Sequence, residues 1–231
     1  GPVTMILDQK KNNGISKLVS GNLDSLAIRH PKNTIFEKVI SKLDRPIAAP
    51  SANISGNVSP TNAIHVYEEF GNQVELIIDG GASEKGIEST VIDARGDHPI
   101  ILRHGPITSE IIESKINLKV FSNFNTNIVE SPGQLFKHYS PNKKLIINSL
   151  RAGEHSSYLG FKNIMPDNKF KGEALNLSKN GNLEEAAANL FTMIRYLDKN
   201  KSENIMVAPI PNNGIGIAIN DRLERAAKYE K

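Results

Sequence analysis

The sequence predicts an α/β protein built from two units, and three observations lead to that prediction. Short β-rich runs alternate with segments that have the apolar period of about 3.6 residues typical of amphipathic helices. A polar stretch rich in Asn, Ser and Pro, without a sustained period, interrupts this alternation at residues 123–144. The length of 231 residues allows one large domain or two modest ones. We therefore expect a domain at residues 1–122, a linker at 123–144 and a smaller domain at 145–231.

The predicted elements of the first region alternate in order. Asn33 and Thr61 are expected to cap two helices, and Gly71 to end the second one, because Asn, Thr and Gly favour these positions. A third helix is expected from Thr108 to about residue 116. The predicted strands, of which the third is expected to be short and buried, span residues 3–7, 25–28, 46–49, 74–78, 89–93 and 100–103.

The second region repeats the alternation on a smaller scale. Asn182 is expected to open a long amphipathic helix, and a closing helix is expected at residues 216–229. The predicted strands span residues 145–147, 157–161, 174–177 and 205–210. This order predicts a Rossmann-like three-layer α/β domain with a largely parallel sheet.

The composition excludes several classes of function. The net charge of +3 is too small to indicate nucleic-acid binding, and no basic stripe is interleaved with aromatic residues. The absence of Cys excludes disulfides, thiolate zinc sites and a Cys nucleophile. No apolar run approaches the length that spans a membrane, and no signal peptide is visible. We therefore expect a cytoplasmic protein without membrane contact.

The loop Ser51-Ala52-Asn53 is the most informative local feature of the chain. It follows a short apolar run and leads through Gly56 to Ser59-Pro60-Thr61, where a helix is predicted. Small hydroxyl and amide side chains on such a loop suit the phosphate and ribose oxygens of a nucleotide. A surface turn with a helix cap would explain the same residues if the loop stood alone.

Three further segments have the same character. Arg29 ends a predicted strand, where a guanidinium can bind a carboxylate or phosphate with two hydrogen bonds. Ser89 and Thr90 enter another strand, so one hydroxyl must face each side of the sheet. Arg103 precedes a helix N-terminus, an arrangement that favours anions. Each signal is weak in isolation.

In combination these segments resemble the YrdC-domain family, specifically the two-domain threonylcarbamoyl-AMP synthases. The resemblance runs in order over essentially the whole chain. It includes a Ser-Pro-Gly…His-Tyr-x-Pro segment in the linker and the Gly-Ile-Gly…Asp-Arg-Leu-x-Arg-Ala-Ala end of the second domain. The matching segments are residues 1–4, 25–31, 49–56, 59–61, 88–91, 102–105, 131–141 and 214–227.

The resemblance implies a YrdC-like twisted mixed α/β domain and a nucleotidyltransferase activity. L-threonine and bicarbonate would form a carbamate that attacks the α-phosphate of ATP, which gives threonylcarbamoyl-AMP and pyrophosphate. Mg²⁺ is expected with the triphosphate. A partner complex would then transfer the threonylcarbamoyl group to tRNA, and a weak contact with tRNA or double-stranded RNA is also expected. Such a site works mainly by positioning and charge neutralisation.

The resemblance also assigns roles by position, although it assigns no catalytic residue and no metal ligand. Arg29, Ser89 and the backbone of Ala49 would hold L-threonine. His138 and Tyr139 would form a lid that keeps water from the labile carbamate. The residues implied to bind ATP are Ser25, Ser51, Asn53, Ser59, Arg103 and Tyr139.

The chain departs from the family pattern at three points. Ser25 replaces the more usual Thr, and Gln134 replaces the usual Met of the linker. The family's amino-terminal portion, with a Lys-x-Arg element that contacts triphosphate, has no equivalent after Gly1. We therefore expect the chain to be the carboxy-terminal portion of a longer enzyme, and in isolation it is a candidate for an inactive fragment.

Alternatives from other classes remain open. Hydrogenase-maturation carbamoyl transferases share the domain fold, but they carry Cys-rich zinc modules and this chain has no Cys. A non-catalytic RNA- or nucleotide-binding fragment is disfavoured by the small net charge, and a steep salt dependence of RNA binding would support it. A purely structural or regulatory fragment is the third alternative.

Overall fold

The computed structural model of the chain describes residues 1–11, 13–122 and 138–228. The chain divides into two compact units, each made of two stretches of sequence. The first unit comprises Gly1–Pro50 and Glu88–Gln134, and the second comprises Ser51–Ile87 and Leu135–Lys231. Most of the predicted linker, including Gln134, lies outside the described residues, and its last part, residues 138–144, belongs to the second unit.

A mixed sheet forms the framework of the first unit. Its strands are β1 (Val3–Asp8), β2 (Ser25–Arg29), β3 (Thr90–Asp93), β4 (Ile100–Arg103) and β5 (Phe121–Ser122). They lie in the order β2-β1-β3-β4-β5. Strand β1 runs antiparallel to β2 and parallel to β3, while β3 is antiparallel to β4 and β4 is parallel to β5. The residues of β1 therefore lie next to those of β3, although the two strands are distant in sequence.

A parallel sheet forms the framework of the second unit. Its strands are β6 (Lys144–Ile146), β7 (Ser156–Gly160), β8 (Ala174–Asn176) and β9 (Asn204–Val207). They lie in the order β6-β9-β7-β8, and every pair is parallel. This confirms the predicted α/β class, with a mixed sheet in one unit and a parallel sheet in the other.

The helices that the sequence predicts begin close to the predicted positions, whereas the short helix α1 was not predicted. The Asn33 and Asn182 side chains cap α2 and α5 as expected, but Asn62 rather than Thr61 caps α3 by accepting a hydrogen bond from the His65 N–H at 3.0 Å. In chain order the helices are α1 (Lys17–Ser20), α2 (Thr34–Leu43), α3 (Ala63–Phe70), α4 (Ser109–Ile116), α5 (Leu183–Asp198) and α6 (Ile215–Ala227). None of the helices in the described part of the chain is long and apolar enough to cross a membrane.

Helix α5 supplies much of the core of the second unit. Its apolar face buries Leu190, Ile194 and Leu197 almost completely. The same core includes Val58 and Ile87, which come from the stretch Ser51–Ile87. Burying an apolar side chain stabilises a fold by about 1.5–3 kcal/mol for each large one. The apolar side chains of this stretch therefore hold it in the core of the second unit.

Two predicted strands are not formed. Residues 46–49 are exposed rather than buried, and no described strand pairs with them. Residues 74–78 have β-branched and aliphatic side chains, but Leu76 and Ile78 are 76% and 55% exposed and no described strand pairs with them. Local preference for extended structure does not make a strand without a partner.

Candidate functional site

The hydroxyl group of Ser89 lies at the centre of a polar cluster in the first unit. Ser89 is 2% exposed, and its Oγ lies 2.7 Å from Oγ1 of Thr4 on β1. The Arg103 guanidinium on β4 donates to the Ser89 carbonyl oxygen from Nε at 3.1 Å and from Nη2 at 3.0 Å. The same Nη2 lies 3.1 Å from Ser89 Oγ. Strands β1 and β4 and the residue directly before β3 thus bring two hydroxyls and a cation together.

The backbone around this cluster requires glycine at position 105. A Cβ atom there would lie 2.3 Å from the backbone nitrogen of Thr90 and 2.6 Å from the carbonyl oxygen of Glu88. The Thr90 hydroxyl donates to the Ile107 carbonyl at 2.7 Å, away from the partners of Ser89. The Ser89 and Thr90 hydroxyls therefore make separate sets of contacts, and the close approach of Gly105 brings the end of β4 against the start of β3.

Arg29 lies on the edge strand beside this cluster. Its Cα is paired with that of Thr4, so the two residues occupy one face of the sheet. Arg29 also lines an apolar groove of about 540 Å³. Desolvation lowers the pKa of the Arg29 guanidinium from its ordinary value, but an arginine stays protonated at neutral pH. A cation beside apolar surface suits a small carboxylate ligand.

Ser25 and Ala49 are the remaining predicted residues of the first unit. Ser25 opens β2 and is 6% exposed, and its carbonyl oxygen accepts a hydrogen bond from Gln9 at 3.1 Å. Ala49 is exposed and follows Ala48, which lines the same groove as Arg29. The structure therefore brings Arg103 and Ser89 into direct contact and pairs Arg29 with Thr4, the hydrogen-bond partner of Ser89.

The loop Ser51-Ala52-Asn53 belongs to the second unit. Ser51 is exposed, whereas Asn53 and Ser59 are only 7% and 6% exposed. The Asn53 amide nitrogen donates to the carbonyl oxygens of Ile54 at 2.8 Å and Asn57 at 3.2 Å, which fixes the orientation of the amide. Its Oδ1 atom is buried and accepts no hydrogen bond from the described residues. The Asn53 Oδ1 atom is thus a buried and oriented acceptor that is available to a donor group of a ligand.

A carboxylate on α3 binds the residues that follow this loop. Oε2 of Glu69 accepts hydrogen bonds from the Ile54 backbone N–H and from the Asn57 side-chain amide, both at 3.1 Å. Burial raises the pKa of Glu69, but hydrogen bonds from Arg195, Ile54 and Asn57 outweigh that effect, so the net pKa lies below its ordinary value. Glu69 is therefore held as a carboxylate.

His138 and Tyr139, the predicted lid residues, also lie in the second unit. Tyr139 is fully buried, and its ring stacks on Phe191 of α5 with centroids 5.3 Å apart. The next residue, Ser140, donates its backbone N–H to the Gly56 carbonyl oxygen at 2.8 Å. The segment that contains Tyr139 is thus hydrogen-bonded to the loop that contains Asn53, in one unit of the structure.

Sequence reasoning missed four residues that the structure adds to these sites. Thr4 stood in a recognised motif without a role, and only the β1–β3 pairing brings its hydroxyl to Ser89. Glu69, Thr192 and Arg195 carry no local signal, because their partners in residues 54–61 are 12 to 137 positions away in the sequence. Among the described residues, no group of three or more His, Asp or Glu side chains could hold a metal ion.

Two family models match the chain, one for each half. A model described as "Telomere recombination" matches residues 1–105. A model described as "Threonylcarbamoyl-AMP synthase, C-terminal domain" matches residues 107–228. The two matches, in this order along the chain, define a two-domain enzyme of the threonylcarbamoyl-AMP synthase class.

Characterised relatives and a crystal structure agree with these matches. The chain is 33% identical to the threonylcarbamoyl-AMP synthase of Pyrococcus abyssi and 34% identical to that of Bacillus subtilis, in alignments that include 99% and 98% of the chain and 71% and 70% of those proteins. The crystal structure of P. abyssi Sua5 complexed with L-threonine matches with a TM-score of 0.84 at 31% identity, over 99% of this chain and 71% of that one. The chain belongs to the threonylcarbamoyl-AMP synthase family.

Proposed function

We propose that the chain takes part in the synthesis of threonylcarbamoyl-AMP by adenylyl transfer. The amine of L-threonine adds to the carbon of bicarbonate, and water is lost to give a carbamate. A carbamate oxygen then attacks the α-phosphorus of ATP. The bond between the α-phosphorus and the oxygen that bridges to the β-phosphorus breaks, and pyrophosphate leaves. The observation that supports this reaction is that both parts of the chain match the synthase family.

The first unit is proposed to bind L-threonine. Arg29 would pair with the carboxylate, and the Ser89 hydroxyl would contact the amino acid, with the Ala49 backbone beside it. The contact between Thr4 and Ser89 supports this assignment, because it orients the Ser89 hydroxyl on the sheet face that Arg29 shares. A bidentate guanidinium–carboxylate pair would fix the amino acid so that its amine presents the carbamate in one direction.

The ATP contacts are proposed to come from hydroxyl, amide and guanidinium groups. The residues proposed to contact ATP are Ser25, Ser51, Asn53, Ser59, Arg103 and Tyr139. Arg103 would neutralise charge that develops on the phosphates during transfer, which is the main task of a protein in such a reaction. The buried, oriented Oδ1 of Asn53 supports a contact with a ligand N–H or O–H group.

Mg²⁺ is proposed to enter with ATP as part of the substrate. The side chains proposed to bind ATP include hydroxyls, an amide and a guanidinium but no carboxylate, whereas a Mg²⁺ site held by protein usually has one or two carboxylates. These residues do not fit a protein-held magnesium site, and no step above depends on one. The product would pass to a partner complex that modifies tRNA.

Mass spectrometry tests the proposed reaction. The chain is mixed with ATP, Mg²⁺, L-threonine and bicarbonate, and threonylcarbamoyl-AMP is sought at its expected mass. A product that disappears when threonine is omitted supports the proposal. A second protein, encoded with additional upstream sequence, is assayed in parallel. If neither protein forms the product, the proposed function is wrong.

A further inference from the structure

We infer that Glu69 and Arg195 are positioning residues that hold the Ser51-Ala52-Asn53 loop in the shape that binds ATP. This inference rests on the proposed function. It assigns a role in nucleotide binding to α5, a helix from the carboxy-terminal part of the chain. The residues involved all belong to the second unit.

Arg195 binds the backbone of the loop segment directly. Its Nη2 donates to the Val58 carbonyl oxygen, and its Nε donates to the Ser59 carbonyl oxygen at 3.3 Å. Ser59 is itself one of the residues proposed to contact ATP. One planar guanidinium thus binds two successive carbonyls, a pattern that the single ammonium group of lysine does not reproduce.

Glu69 connects this guanidinium to the other end of the segment. Its Oε1 lies 2.7 Å from Arg195 Nη2, and the two side chains are only 7% and 10% exposed. Its Oε2 binds Ile54 and Asn57, as described above. Asn57 in turn supplies the carbonyl oxygen that orients the Asn53 amide. The ion pair is therefore connected at one side to the residue after Asn53 and at the other side to Ser59.

A second contact between α5 and this region lies one helical turn away. Oγ1 of Thr192 is 2.7 Å from Oγ1 of Thr61, two residues after Ser59. Five residues between Ile54 and Thr61 are thus bound to side chains of α3 and α5. A loop that must present several groups to a nucleotide gains affinity when it is held in the binding shape beforehand.

Glu69→Gln is the most informative variant, and Glu68→Gln is its matched control. The Glu69 carboxylate accepts hydrogen bonds on both oxygens, whereas a glutamine would present an N–H group to one of the two sets of donors. Glu68 is the adjacent residue and loses the same charge, but its partner is Lys199 at 2.5 Å on the surface. Arg195→Lys is the second variant, because it keeps the charge and loses the paired contacts.

The experiment measures ATP binding by calorimetry and amide hydrogen exchange of residues 51–59. We expect Glu69→Gln and Arg195→Lys to weaken ATP binding by at least about tenfold, because small displacements of positioned groups have large effects. L-threonine affinity should stay unchanged, and the Ile54 amide should exchange faster. Glu68→Gln should match the unaltered chain in each measurement.

Three different results would overturn the inference. If the unaltered chain binds ATP and the Glu69→Gln and Arg195→Lys variants bind it equally well, the inference is wrong while the proposed function stands. If ATP and threonine affinity fall together in Glu69→Gln, the ion pair has only a general structural role. An unaltered chain that binds no ATP overturns the proposed function as well.

Discussion

The Arg103 guanidinium donates to both oxygens of Ser89, the backbone carbonyl and the side-chain hydroxyl. One of these residues is proposed to bind ATP and the other to bind L-threonine. A direct hydrogen bond therefore connects a residue of the proposed nucleotide site with a residue of the proposed amino-acid site. A change in one of them is expected to affect both substrates.

Arg103→Lys should therefore weaken the binding of both ATP and L-threonine. Lysine keeps the positive charge but cannot donate to the two Ser89 oxygens from a planar group. We expect each affinity to fall by about tenfold, since a hydrogen bond from a charged group contributes about 1.5–3 kcal/mol. Calorimetric titration of each substrate measures the effect. Arg95→Lys, which alters the Arg95–Asp93 ion pair after β3, should leave both affinities unchanged.

Arg29→Gln should affect L-threonine alone. Glutamine cannot pair with a carboxylate through two charged N–H groups, so we expect threonine affinity to fall by about tenfold or more. ATP affinity should stay within about twofold, because no ATP contact is proposed for this side chain. The control is Arg45→Gln, which removes an exposed cation elsewhere in the same unit. Equal loss of threonine binding in both variants would point to a general charge effect instead.

Gly86→Ala should lower the stability of the second unit more than Gly81→Ala does. Both glycines have positive φ angles, +66° and +80°, which cost an alanine about 1–2 kcal/mol. A Cβ at Gly86 would also lie 2.3 Å from the Ala187 carbonyl oxygen and 2.5 Å from the Ala188 Cα, whereas nothing lies within 4 Å at Gly81. Urea unfolding should show an additional loss of about 2 kcal/mol or more for Gly86→Ala. Equal losses would mean that α5 shifts away from the added Cβ at no cost in free energy.

The stability of the second unit should fall as the pH is lowered through the titration of His65. Burial lowers the pKa of His65, and the positive charges of Arg195 and Lys199 lower it further, while Glu68 raises it. The Thr61 N–H donates to His65 Nδ1 at 3.2 Å, so the neutral ring with an unprotonated Nδ1 fits the fold. Because the folded pKa lies below the unfolded value, this contribution is complete above about pH 6.5 and is lost below it.

His65→Asn tests this pH dependence. Asparagine offers an acceptor oxygen near the Nδ1 position but does not titrate, so the difference in unfolding free energy between pH 8 and pH 5 should shrink. His155→Asn, which changes an exposed histidine, is the matched control. A difference that stays the same in His65→Asn would contradict the prediction.

Much of the secondary structure could be predicted from short-range patterns. Strand β4 and the capping residues of α2 and α5 agree with prediction, because cap chemistry and apolar periodicity act over a few residues. The strands predicted at 46–49 and 74–78 failed for a non-local reason. Whether an apolar run becomes a strand depends on a partner strand, and the run itself does not encode one.

The same distinction applies to the candidate site. The residues of the four motifs were found because each motif is contiguous in the sequence. The contacts of Ser89 with Thr4 and of Arg195 with Val58 join residues 85 and 137 positions apart, and only the folded chain brings them together. Side chains that hold a binding loop in place have no required sequence neighbourhood, so inspection of one sequence does not find them.

The burial of Val58 and Ile87 in the core around α5 affects how domain-deletion experiments on this protein should be interpreted. A protein cut within the polar stretch after residue 122 would leave those two side chains without their apolar partners. It would also remove Arg195 from the carbonyl groups that it binds. Loss of activity after such a cut would not prove that the deleted part touches substrate. Point variants of α5 in the intact chain avoid this ambiguity.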